Sequence, residues 1–92
     1  MAKLSDDEVQ SGLAAQPGWR HAGEVIERTY ELPDFRTALA FVGYVGELAE
    51  QMNHHPDVDI RYNRVRLGLA THSEGGLTGK DLELARRVDR VE

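Results

Sequence analysis

Apolar residues recur along this chain at two spacings, and the spacing switches at proline and glycine. Ser5 and Glu8 have the S-x-x-E form of a capping box, and Leu4 with Val9 forms the matching hydrophobic staple. Val9 and Leu13 then share a face, which predicts a short helix over 5–15 that stops near Pro17-Gly18. From Trp19 to Leu32 the period falls to two. Gly23 splits this stretch into a hairpin; Ile26, Arg28, Tyr30 and Leu32 face one way, and Val25, Glu27, Thr29 and Glu31 the other. Arg28 is out of place in the apolar set. Pro33-Asp34 opens the longest helical pattern, with Asp34 as N-cap. Phe35, Ala38, Leu39, Val42, Val45, Ala49 and Met52 form its apolar stripe, widened by Phe41 and Leu48. Gly43 and Gly46 each cost about 1 kcal/mol in a helix interior, which makes sense if another backbone packs closely there. The helix ends near Asn53, because Pro56 biases His55 to extended geometry.

Alternation returns at Val58, Ile60 and Tyr62 and again at Val65, Leu67 and Leu69, with a bend expected at Asn63-Arg64. Arg64, Arg66, Gly68 and Ala70 take the opposite face. His72 continues their register, so it is expected off the core face at the strand's end. Gly75-Gly76 reads as a loop. Thr78 as N-cap, Asp81 three residues on, and Leu77 with Leu82 as staple start a last helix, whose apolar face is Leu84, Ala85, Val88 and Val91. The order helix, two strands, helix, two strands, helix predicts an α+β fold. Three helices on one face of a four-stranded antiparallel sheet is the economical packing.

Ninety-two residues make one domain, 1–92, and 40% hydrophobic residues suffice for one core. The absence of cysteine excludes disulfides and thiolate zinc sites. A formal charge of −5 argues against nucleic acid as the main partner. The N-terminal residues lack the apolar core of a signal peptide, and no apolar run nears the roughly 20 residues of a membrane span. A cytoplasmic protein is expected.

The candidate chemistry lies in histidine. His54 and His55 sit where the long helix is stopped by proline, and His72 follows the last strand. Imidazole has an ordinary pKa of roughly 6.5, which suits proton transfer near neutrality. Two imidazoles in unlike environments can act as an acid and a base at one pH. Glu50 lies four residues before His54 and would orient it if the helix reaches that far. His54 and His55, in extended backbone, point opposite ways.

These residues fall into a longer pattern: Glu50, three residues, His54-His55-Pro56, five residues, Tyr62, nine residues, His72, eight residues, Asp81. That pattern resembles the signature of the pterin-4a-carbinolamine dehydratases. The likeness runs over roughly residues 19–90 and is most specific from 49 to 85. It implies dehydration of 4a-hydroxytetrahydropterin to the quinonoid dihydropterin, which recycles the cofactor of aromatic amino-acid hydroxylases. By resemblance, His54, His55 and His72 transfer protons and contact the pterin, with His54 and His72 the more important pair. Glu50, Asn53, Thr71 and Asp81 are the expected substrate-binding residues. No metal or other cofactor is implied, because pterin is the substrate. The resemblance also implies a homodimer or homotetramer, with no membrane and no direct nucleic-acid partner. Val58 stands where the family often has an aromatic residue, which bears on substrate preference, and Asn53 where an acidic residue also occurs.

Plainer readings stand beside these. A polar helix end accounts for His54 and His55 taken alone, and a solvated strand end for His72. Capping accounts for Asp81. Tyr62 reads as core, His21 as surface, and the arginines of 61–66 and 86–90 as a solvated face. Two other functional classes compete with the enzyme. One is a catalytically idle dimerisation module, since mammalian relatives serve a homeodomain transcription factor in that way. The other is a metal enzyme using Glu50, His54 and His72.

Overall fold

The computed structural model describes residues 3–91. Ser5 and Glu8 close their capping box in both directions, at 3.1 Å and 2.8 Å, and start α1 (Asp6–Leu13). Beyond the Pro17-Gly18 turn, β1 (Arg20–Ala22) and β2 (Val25–Glu31) form the predicted hairpin. Gly23 turns the chain between them at φ 65, the left-handed region open to glycine. Asp34 accepts a hydrogen bond from the Thr37 amide and caps α2 (Phe35–Met52). Then come β3 (Asp57–Arg61), β4 (Arg64–Leu69), a 3-10 turn over His72–Glu74, and α3 (Gly79–Val91).

The sheet order is β1-β2-β4-β3 with every pair antiparallel, so β1 and β3 are the edges. Pairing of Ile26 with Leu69, Arg28 with Leu67 and Tyr30 with Val65 puts the predicted apolar set on one face. Val9 and Leu13 of α1, Ala38, Phe41 and Val45 of α2, and Leu84, Ala85 and Val88 of α3 pack on that face in one core. The three helices thus share one side, as expected. The side chain of Val91, assigned to the same stripe, lies outside the described residues. On the other face Glu27, Thr29, Glu31, Asp59, Arg64 and Arg66 meet solvent, with Arg66 paired to Glu27 and Asp59. Arg28 fits the inner face because its guanidinium lies 4.5 Å from the Tyr30 ring centre and donates to Asp89 at 3.0 Å. Asp89 also accepts from the Trp19 indole and the Tyr30 hydroxyl, which ties the end of α3 to β2.

Three expectations need correction. Phe35 and Leu39 are not core: each is 47% exposed, because the sheet and α3 cover only one side of α2. Gly43 and Gly46 lie on that uncovered side, and among the described residues nothing beyond their chain neighbours and the helix's own backbone comes within 4 Å of where their Cβ atoms would be. Tyr62 is not core either. The turn falls at Tyr62-Asn63 rather than Asn63-Arg64, so Tyr62 sits at φ 54 and is 70% exposed.

Candidate active site

Two short-range events bring the histidines into place. Asn53 adopts φ 50 after the last turn of α2, and the amides of Asn53 and His54 bond back to Glu50 and Ala49. This Schellman-type ending, with asparagine in the glycine-favoured position, reverses the chain. The reversal sends His54 inward and leaves His55 outside. Downstream, β4 stops at Leu69, and Thr71 bridges Gly76 as an isolated antiparallel pair. That loop holds Thr71 buried and starts the exposed turn at His72. His72 is therefore off the core face as predicted, on a 3-10 turn rather than on a strand.

Asp81 joins the two segments. Its carboxylate has no exposed surface. Oδ1 lies 2.5 Å from Nε2 of His54, itself only 8% exposed. Oδ2 accepts from the Thr71 hydroxyl at 2.8 Å and from the Thr78 amide at 3.0 Å. The Thr71 and Thr78 hydroxyls are 2.8 Å apart, and the Lys80 amide donates to the Thr78 hydroxyl. Asp81 thus fills its predicted capping place at the start of α3 and also holds a histidine supplied by the end of α2. Both oxygens are satisfied, as a buried charge requires. Because Asp81 is enclosed, it can reach a ligand only through His54.

Glu50 does not orient His54. The helix ends before His54 can stack on it, and Glu50 instead meets Nε2 of His55 at 2.5 Å, with both side chains mostly in solvent. His72 follows Thr71 directly, so all three histidines leave the backbone at two places that Asp81 ties together. Asn53 is exposed and Thr71 is buried. His21 lies elsewhere, near Gln10. Among the described residues, no three His, Asp or Glu side chains are placed to hold a metal ion, and Glu50, His54 and His72 do not form such a set. No helix among them is long and apolar enough to cross a membrane.

The family model for pterin 4 alpha carbinolamine dehydratase matches residues 2–91. The chain belongs to this family. A relative from Thermomicrobium roseum, provisionally named a pterin-4-alpha-carbinolamine dehydratase, is 51% identical over 96% of this chain and 95% of its own. One from Chloroflexus aurantiacus, named the same way, is 50% identical over 99% and 98%. Among solved structures, a transcriptional coactivator/pterin dehydratase from Brucella melitensis superposes with a TM-score of 0.92 at 37% identity, covering 97% of each chain. A pterin dehydratase-like RuBisCO assembly factor of the alpha-carboxysome superposes with a TM-score of 0.68 at 21% identity, over 80% of this chain and 88% of that one, and shares the fold alone.

Proposed function

We propose that this protein dehydrates 4a-hydroxytetrahydropterin to quinonoid dihydropterin and water, in the recycling of the tetrahydropterin cofactor of aromatic amino-acid hydroxylases. The C4a–O bond breaks as the leaving hydroxyl takes a proton. The N5–H bond gives up its proton, and its electrons form the C4a=N5 double bond. One acid and one base suffice. The observation that carries the reading is the unlike setting of neighbouring imidazoles in a member of this family. His54 is buried on a carboxylate, His55 next to it in the chain stands in solvent, and the exposed His72 follows Thr71, which donates to that same carboxylate. His54 and His72 exchange the protons, and His55 and Asn53 contact the pterin. Asp81 and Thr71 act from behind His54, and Glu50 acts through His55.

The test is stopped-flow decay of a 4a-hydroxytetrahydropterin at neutral pH. Wild type should accelerate it. His54→Ala and His72→Ala should each lower kcat by roughly 10²–10⁴-fold, the usual worth of a general acid or base. A wild type no faster than buffer would overturn the dehydratase reading and leave the idle dimerisation module as the alternative.

The same reading includes self-association. The uncovered side of α2 carries Phe35, Leu39, Gly43, Tyr44 and Gly46, next to a groove of about 660 Å³ lined by Gly43, Tyr44, Glu47, Leu48 and Gln51. A second copy related by a two-fold axis at Gly43 would bring two bare backbones together. It would also set Arg36 against the partner's Glu50, since each is equally far from Gly43 along the helix. Leu39→Glu should reduce the mass seen by light scattering to that of a monomer. A mass unchanged by that substitution would place the contact elsewhere.

A further inference from the structure

The hydrogen bonds around Asp81 can be oriented one by one. Thr78 Oγ1 accepts from the Lys80 amide. The single hydroxyl proton of Thr71 goes to Asp81 Oδ2, so between the two hydroxyls Thr78 must be the donor and Thr71 Oγ1 the acceptor. Oδ2 also takes the Thr78 amide proton. Every donor on this side is directed at the carboxylate, which has one oxygen left for His54. An ionised carboxylate only accepts. The facing Nε2 must therefore carry the proton. In a neutral imidazole the other nitrogen, Nδ1, is then bare. Nδ1 has no hydrogen-bond partner among the described residues. Every buried side-chain nitrogen or oxygen among those residues does have one, so Nδ1 lies at the small part of His54 that meets solvent.

We infer that the Thr78–Thr71–Asp81 chain locks His54 as the Nε2–H tautomer, so that Nδ1 is the atom that takes the pterin N5 proton. This rests on the dehydratase reading and assigns the base within it. Thr71 and Thr78 are positioning residues: they touch no reacting atom and act by holding Asp81 in one orientation. Asp81→Asn should then invert the ring. The Thr78 amide still needs an acceptor, so the Asn oxygen stays on that side and the amide NH2 turns to His54. His54 must answer with a bare Nε2 and a proton on Nδ1. An Asp→Asn change behind a histidine is known to act this way in serine proteases.

The experiment is nitrogen NMR of protein labelled in histidine, recorded at alkaline pH, well above the roughly 6.5 of a free imidazole. The His54 resonance is assigned by elimination with His21→Ala, His55→Ala and His72→Ala. Wild type should show the proton on Nε2 and Asp81→Asn should show it on Nδ1, with kcat down roughly 10²–10⁴-fold. Thr71→Val still leaves an acceptor-only carboxylate facing Nε2, so the proton should stay there while kcat falls on the order of tenfold at unchanged KM, the scale of one charge-assisted hydrogen bond. Thr71→Ser should restore kcat. A wild-type His54 protonated on Nδ1, or a tautomer unchanged by Asp81→Asn, overturns the lock while leaving turnover to stand on its own. No turnover in a protein whose His54 is Nε2–H overturns the dehydratase reading, and the base role of Nδ1 with it.

Discussion

His54–Asp81 and His55–Glu50 are neighbouring histidine–carboxylate pairs of equal length, 2.5 Å from Nε2 to oxygen. Their surroundings differ completely. The first pair has side chains 10% and 0% exposed, the second 58% and 71%. In water a charge pair is screened and must hold two mobile side chains still, so it contributes little. In the interior a hydrogen bond to a carboxylate is stronger, but the carboxylate has lost its hydration and needs its lone pairs filled. Asp81 meets that condition through Thr71 and Thr78; Glu50 has no need to. Distance alone therefore does not rank the two pairs, whereas enclosure and the third and fourth partners do.

The largest expected effect follows from breaking the enclosed pair. Asp81→Ala strands the donors of His54 and Thr71, each costing about 1–3 kcal/mol when left unsatisfied, and removes the side chain that caps α3, so it should cost roughly 3 kcal/mol or more in urea unfolding. A loss no greater than that of Glu50→Ala would erase the distinction between the pairs. Next is Thr71→Val, which leaves Asp81 short of one donor and should cost about 1–3 kcal/mol. Glu50→Ala and His55→Ala should each change stability by less than about 1 kcal/mol, an effect that fades further in high salt. A larger, salt-independent loss from either would mean that the outer pair is held more firmly than its exposure suggests.

The smallest effect is acid sensitivity spread over surface carboxylates, of which Glu27 and Glu83 are partly buried and Asp34 exposed. Hydrogen bonds from Arg66, and then Arg20, hold Glu27 below its ordinary 4.5. Arg87 does the same for Glu83, and the Thr37 amide holds Asp34 below 3.8. A carboxylate whose pKa is depressed by folding stabilises the folded state above its unfolded value, and that contribution disappears as pH falls through the folded one. Thermal melts should therefore decline below about pH 4.5 and stay flat above it on account of these groups. Glu27→Gln should flatten the decline slightly. A decline that survives Glu27→Gln and Glu83→Gln together would place the acid-sensitive groups elsewhere.

What could be foreseen follows how far apart the interacting residues are in the chain. Ser5 with Glu8 and Asp34 with Thr37 are three residues apart, and both were legible as caps. The strand faces were legible because a period of two leaves only two faces to fill, and burying Ile26 and Tyr30 selects one. Arg28 broke that rule for a long-range reason, since its partner Asp89 is 61 residues away. Tyr62 misled because alternation does not reveal where a two-residue turn interrupts it. Glu50 was the natural partner for His54 only if the helix continued, and the left-handed Asn53 ended it one residue too soon.

The chain by itself determined the order of elements, the faces of the sheet, the helix caps and which histidines to watch, because each depends on neighbours within a turn or a strand. It also carried the spaced pattern that marks the family. Only the tertiary structure decided which carboxylate serves which imidazole. Asp81 lies 27 residues from His54, and their contact exists because the end of α2 and the start of α3 are packed together against one sheet. Folding turned a capping residue into the partner of His54, since an enclosed carboxylate must use both its oxygens.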